Sequence, residues 1–205
     1  MFLHNTPKAL KKLYPSLLWQ VPTVEKEIYL TFDDGPIPEL TPWVLDTLKS
    51  FEVKATFFCV GENLQLHRTI AERIVAEGHS LGNHTHNHLN GWKTPLADYM
   101  ENVSKADKEL QQLTKTDLFR PPYGRISRNQ IKALGHKRII MWDVLSGDYS
   151  IKLSPQTVLE KSIEYTSPGS IVLFHDNEKA TERLKYALPN YIEHFQEQGY
   201  SFKTL

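Results

Sequence analysis

Short apolar runs that alternate with amphipathic segments constrain this chain more than any other feature. Residues 28–32, 55–60, 118–120, 137–144, 170–174 and 200–203 read as strands, with a further short one at 79–83. Helical patterns stand between them. Val44, Leu45, Leu48 and Phe51 share one face of a helix over 41–51, where Thr41-Pro42 reads as an N-cap followed by proline at the first helical position. Residues 66–77 place Ile70, Ile74 and Val75 together before Gly78, and a long helix runs from about Thr94-Pro95 to Leu113. Ser127 and Gln130 make a capping box for a short helix, Ser154-Pro155 opens another that ends near Tyr165, and a last one covers 180–198. Strand followed by helix, repeated, argues for a parallel sheet. At 205 residues the chain suits one α/β domain of barrel size.

The polar residues of interest bunch just after the strands, which is where parallel sheets build their sites. Thr31-Phe32-Asp33-Asp34-Gly35 puts two adjacent carboxylates at a strand end, and each raises the other's pKa unless a cation or guanidinium intervenes. Asn83-His84-Thr85-His86-Asn87-His88 offers imidazoles nearby. His84 and His88, four apart, would meet on one face of a helical turn, and two imidazoles with one carboxylate are a recurrent zinc set. His86 falls between them as a supporting or solvent-facing residue.

Arg120-Pro121-Pro122-Tyr123-Gly124 lies on a loop stiffened by prolines, where an arginine could hold Asp33 ionised and a backbone N–H could face a developing oxyanion. His175 in Leu173-Phe174-His175-Asp176 ends a buried strand, a place for a general acid. His4, His67, His136 and His194 have no such setting, and His79 reads as support for the histidine loop. Cys59, the single cysteine, lies in an apolar run and packs as a small hydrophobe, so any metal rests on histidines and carboxylates.

TFDDG, NHTHNH, RPPYG and LFHD, in this order, closely resemble the polysaccharide deacetylases of carbohydrate esterase family four, which share the NodB homology domain. The resemblance spans residues 28–176. It implies an α/β fold, a distorted (β/α) barrel with about seven parallel strands. Residues 1–24 are then an N-terminal extension packing on the barrel, and 25–205 the catalytic domain. It implies a metal-dependent hydrolase that uses a metal-activated water to remove acetyl from an N-acetylated amino sugar, a chitooligosaccharide or a peptidoglycan-type glycan. Carried over residue by residue, Asp34, His84 and His88 hold a divalent metal, zinc first, with cobalt, nickel or iron as alternatives. Asp33 is the general base oriented by Arg120, and His175 is the general acid. Tyr123 supplies an oxyanion N–H, with Pro122, Leu173 and Tyr149 on the substrate side.

One motif departs from the family. Its Asp-x-x-Asp-Trp run, whose first aspartate is thought to tune the acid histidine, reads Leu145-Ser146-Gly147-Asp148-Tyr149 here. Without a neighbouring carboxylate, His175 should titrate lower. Two readings of Asp148 stand side by side: it takes over as partner of His175, or it caps the loop or pairs with Arg120. Tyr149 in place of the indole points to a changed sugar or acyl subsite.

Two other functions compete. One keeps the metal and cleaves a non-sugar amide; the other is a catalytically silent glycan-binding protein. Lysine plus arginine equal aspartate plus glutamate at 24 each, so no net field draws the chain to nucleic acid or an anionic membrane. No apolar run approaches the roughly 20 residues that span a bilayer. Lys8, Lys11 and Lys12 are followed by Pro15 and Pro22 rather than by a signal-type apolar stretch. A cytoplasmic location is the simplest expectation, with the cell envelope as the alternative if the sequence is trimmed. Oligomeric state is unread.

Overall fold

The computed structural model describes residues 3–205. Its elements are α1 (Lys8–Leu13), β1 (Glu27–Asp33), α2 (Leu40–Ser50), β2 (Thr56–Cys59), α3 (Gly61–Leu66), α4 (Arg68–Ala76), β3 (Ser80–Asn83) and α5 (Leu96–Gln111). There follow β4 (Leu118–Phe119), α6 (Arg128–Ala133), β5 (Arg138–Ile139), β6 (Val144–Leu145), α7 (Pro155–Tyr165), β7 (Ile171–His175), α8 (Thr181–Glu197) and β8 (Ser201–Lys203).

The strands lie in the order β5-β4-β3-β2-β1-β7-β6, every neighbouring pair parallel, and β8 pairs with the N-terminal residues of β1. Seven strands thus curl into a distorted (β/α) barrel, the expected architecture. The strand expected over 137–144 is instead two short ones, β5 and β6, at opposite ends of that order. Residues 140–143 cross the gap between the two edges, so they cannot ladder continuously with either. The N-terminal segment supplies partners there. Leu18 bridges Ile140, Gln20 bridges Ser170 and Asn5 bridges Val144. Met141 N–H donates to Leu18 O at 2.7 Å, and Thr6 N–H to Asp143 O at 2.8 Å.

Alternation along the strands sorts their two faces. Ile28, Leu30 and Phe32 of β1, Phe57 of β2 and Phe174 of β7 pack outward with residues of α2, α4, α7 and α8 in the largest apolar cluster. Truncating Phe32, fully buried and stacked on Phe57 at 5.0 Å, would cost about 3–5 kcal/mol. The opposite face of β1 and β7 carries Thr31, Asp33, Leu173 and His175. Inside the barrel, Phe58, Leu118, Ile140 and Ile171 form a smaller cluster beneath the site.

Two helix starts differ from expectation. α2 begins at Leu40, before Thr41, because the Thr41 hydroxyl is engaged elsewhere: it accepts from Ile37 N–H and donates to Asp176 Oδ2 at 2.6 Å. The helix expected over 66–77 starts earlier, at Gly61, and breaks at His67 into α3 and α4. Gly61 permits this close start, since a Cβ there would lie 2.6 Å from His86 Nδ1 and 2.9 Å from Ala106. The capping box of α6 and the Ser154 cap of α7 form as the sequence indicates. Among the described residues, no helix is long and apolar enough to cross a membrane.

Candidate active site

A cleft of about 730 Å³ opens over the C-terminal ends of the strands. Asp33 closes β1, His84 follows β3, Arg120 follows β4, Asp148 follows β6 and His175 closes β7. Parallel register brings them together, because every strand points its last residue at the same rim. Asp33 and His175 are direct partners across β1 and β7.

Asp34, His84 and His88 present one donor atom each within 4.8 Å of one another. Asp34 Oδ1 lies 3.1 Å from His88 Nε2 and 3.5 Å from His84 Nε2. The two histidines do not meet on a helical turn, as their spacing suggested. β3 ends at Asn83, and the chain then turns through left-handed residues at Thr85 (φ 62°) and His88 (φ 54°). Side chains hold that irregular path in place of backbone ladders. Asn102 Oδ1 accepts both His86 N–H and Asn87 N–H, Thr85 Oγ1 accepts Leu89 N–H, and the first turn of α3 donates from Gly61 and Glu62 to Thr85 O and His86 O. Asp34 is itself left-handed at φ 87°, a conformation that costs of order 1–3 kcal/mol and that such sites retain when the surroundings enforce it.

The donor set suits a divalent cation. His84 Nδ1–H donates to Arg120 O at 2.8 Å, which fixes the tautomer and leaves Nε2 as the free ligand atom. His88 Nδ1 meets Tyr123 Oη at 3.0 Å, so its Nε2 also faces Asp34. Two imidazole nitrogens and one carboxylate oxygen converge, with the cleft open on the remaining side. Burial raises the Asp34 carboxyl, but the facing imidazoles of His84 and His88 outweigh it and hold the group well below the usual carboxylate range. Asn177 Nδ2 donates to Asp34 Oδ2 at 2.6 Å, and Asn63 Nδ2 to Asp34 O at 2.8 Å.

Arg120 is fully buried and stands behind Asp33. Its Nη1 donates to Asp33 Oδ1 at 2.7 Å and to Thr31 Oγ1 at 2.8 Å, its Nη2 to Met141 O at 2.9 Å, and its Nε to Ile140 O at 3.3 Å. The guanidinium carbon lies 4.1 Å from the Phe58 ring centroid. Asp33 Oδ2 remains for the cleft, 3.7 Å from His84 Nε2.

Asp148 sits behind His175 and grips it twice. His175 Nδ1–H donates to Asp148 Oδ1 at 2.8 Å and His175 N–H to Asp148 Oδ2 at 2.7 Å. Burial alone would lower the imidazole, but the Asp148 charge and hydrogen bond, with help from Asp34 and Asp33, push it up to about 9. The lower value expected from the Leu145 replacement is therefore reversed, because a carboxylate does neighbour His175. Asp148 does not pair with Arg120. Leu173, Tyr123, Tyr149 and Leu145 line the cleft, and the Tyr149 ring packs edge-on to His175 with centroids 4.8 Å apart. Pro122 does not reach it: the residue is buried in the turn that places Tyr123 at φ 61°. His79 accepts Ala55 N–H through Nδ1 at 3.1 Å and so supports the start of β2 rather than the histidine loop.

Sequence reasoning missed Asn63, Asn102 and Asn177. Asn177 follows the LFHD run directly, and that adjacency is its only signal. Asp176, the last residue of that run, anchors the backbone: its Oδ1 accepts Gly35 N–H at 3.0 Å.

Fold and site together define an α/β barrel hydrolase centre in which a carboxylate and two histidines share the rim with a buried Asp–Arg pair and a His–Asp pair. The chain belongs to the polysaccharide deacetylase family, whose profile matches residues 20–139. A peptidoglycan-N-acetylglucosamine deacetylase of Bacillus cereus is 36% identical over 90% of this chain and 68% of its own length. A crystal structure of the Bc1960 peptidoglycan N-acetylglucosamine deacetylase in complex with 4-naphthalen-1-yl-N-oxidanyl-benzamide superposes with a TM-score of 0.90 at 35% identity, covering 98% of this chain and 95% of that one. The fold also accommodates a silent relative: BA3943, a family-four pseudoenzyme from Bacillus anthracis, matches with a TM-score of 0.83 at 28% identity over 96% of this chain and 69% of that one. Members of the family are metal-dependent hydrolases of N-acetyl amide bonds, and this chain is a hydrolase of that class.

Proposed function

We propose that this protein removes acetyl from N-acetylglucosamine units of a peptidoglycan-type glycan, with Asp33 as base and His175 as acid. The observation that carries the reading is the register of β1 and β7, which sets Asp33 and His175 side by side over the donor triad, each with its own buried partner. A silent glycan-binding protein has no use for either pair. The names of the similar proteins support the glycan, and the ligand in the superposed crystal supports the metal, since an N-hydroxybenzamide carries the two-oxygen head by which hydroxamates chelate.

Asp34, His84 and His88 would hold a divalent metal, zinc by the donor set. When bound, it supplies Lewis acidity to the acetyl carbonyl and lowers the pKa of water. Asp33 Oδ2 accepts the proton of the water that attacks the carbonyl carbon, while Arg120 keeps the other oxygen fixed. His175 is an imidazolium at neutral pH, and with Nδ1–H committed to Asp148 it donates from Nε2 to the departing sugar nitrogen. A C–O bond forms, the C–N bond breaks, and acetate and a free amine result. Leu173 and Tyr149 flank the acetyl group as apolar walls.

The test is acetate release from peptidoglycan fragments and N-acetylglucosamine oligomers. Release should vanish on chelation, return with zinc, and fall steeply in Asp33→Asn. No release from any N-acetylated glycan by the zinc-loaded protein sinks the reading.

A further inference from the structure

Beyond the donor triad, the cleft is lined by a cation that the deacetylation chemistry does not use. Arg125 lines the cleft beside Tyr123, and among the described residues its guanidinium has no ion pair and no hydrogen bond. It lies over the Trp92 ring, 5.4 Å from the centroid. Trp92 is 67% exposed, which is unusual for the largest apolar side chain. An exposed indole under an unpaired guanidinium is not explained by packing.

Trp92 and the backbone that carries Arg125 are held in place from below. Trp92 Nε1–H donates to Ile126 O at 3.1 Å, and Asn90 Oδ1 accepts Trp92 N–H at 3.1 Å. Gln130, buried, joins the two loops: its Nε2 donates to Gly91 O at 2.8 Å while its Oε1 accepts Ser127 N–H at 2.9 Å. Gly91 has to be glycine for this approach, because a Cβ would lie 2.4 Å from Arg125 O. The platform is thus built before any ligand arrives, which reduces the ordering entropy lost on binding.

We infer that Arg125 and Trp92 form a subsite for a carboxylate-bearing sugar next to the unit being deacetylated. Resting on the deacetylase reading above, this names the substrate class as an anionic glycan rather than a neutral one. The planar fork of Arg125 suits a carboxylate bidentately, and the indole face suits a pyranose ring. Glu62 and Glu178 also line the cleft, but Glu62 is engaged by Asn87 Nδ2 at 3.2 Å. Apart from His175, Arg125 and Lys179 are the cations of that lining.

The experiment compares muramic-acid-containing tetrasaccharide with neutral chitotetraose, using zinc-loaded wild type, Arg125→Gln and Trp92→Ala. Arg125→Gln should lower the ratio of kcat/KM on the anionic over the neutral glycan about tenfold, mainly through KM, as loss of a charge-assisted hydrogen bond does. Trp92→Ala should weaken both substrates. An unchanged ratio in Arg125→Gln overturns the subsite. Binding of the same tetrasaccharide is measured by calorimetry alongside. Should wild type release acetate from neither glycan, the deacetylase reading falls, and equal affinity of wild type and Arg125→Gln would independently overturn the subsite.

Discussion

His175 and Asp148 are joined by two hydrogen bonds, from the ring Nδ1 at 2.8 Å and from the backbone N–H at 2.7 Å. One carboxylate therefore fixes both the position of the strand end and the orientation of the imidazole. Asp148 is fully buried and in turn positioned by Arg183, whose Nε donates to Asp148 O at 2.5 Å. The Leu145 replacement on the same loop leaves this grip intact.

The sign of the pH effect follows from that pair. Asp148 raises His175 to about 9, so the acid form persists through neutral pH and turnover declines as pH rises through the alkaline limb. A cation on Asp34 cancels part of the field that helps raise it, which places the limb of the loaded enzyme below 9. In Asp148→Asn the charge is gone and burial dominates, so the limb should move down by at least about one further pH unit. The pH dependence of kcat for acetate release measures this. An unmoved limb with unchanged turnover would remove His175–Asp148 from the mechanism.

Arg120 serves stability and the base at once. Its guanidinium, fully buried, satisfies Asp33, Thr31 and two carbonyls, so Arg120→Ala leaves the largely buried Asp33 without its counter-charge. A loss of about 3–5 kcal/mol in unfolding free energy is expected, read from urea denaturation. Arg120→Lys keeps the charge but cannot span those acceptors, and should recover only part of that loss while turnover stays low.

Much of this arrangement was legible beforehand, for a physical reason. A strand end that carries Asp33-Asp34 announces itself by placing charge against an apolar run, and parallel order then puts His84, Arg120 and His175 on the same rim. What was hidden depended on tertiary partners. Spacing of four suggested a helical turn for His84 and His88, yet Asn102, sixteen residues away from His86 in the chain, holds that loop instead. Thr41-Pro42 looks like a helix cap until Asp176 claims the threonine hydroxyl. Residues 137–144 are apolar enough for one strand, but they cross the barrel seam and pair with residues from the N-terminal segment. No local pattern encodes these contacts.

Tyr123 gives a prediction about the metal that does not depend on turnover. An imidazole that ligates through Nε2 keeps its proton on Nδ1, so His88 then donates to Tyr123 Oη, 3.0 Å away. Losing such an outer partner typically costs about 10–100-fold in metal affinity. Tyr123→Phe should bind zinc about tenfold more weakly in a chelator competition, and His88→Ala far more weakly still. Equal zinc affinity in Tyr123→Phe would show that the hydroxyl does not set the ring.

Asp176 makes the final case, through stability rather than catalysis. Its carboxyl is completely buried against Gly35 N–H and the Thr41 hydroxyl, and burial pushes it up to about 7; Asp143, buried beside Ser170, is likewise raised to about 6. A folded-state pKa above the unfolded value of about 3.9 means that the folded chain binds more protons between these limits. The stability from holding these protons is fully present below pH 4 and is lost as pH rises through 6 and 7. Unfolding free energy should therefore carry a declining contribution from pH 4.5 to 7.5. Asp176→Asn cannot ionise, so its urea-denaturation curve should decline less across that window, even though the amide loses the acceptor for Thr41 and lowers stability at pH 4.5. An identical slope in wild type and variant would show that Asp176 is already ionised in the folded chain at pH 4.5.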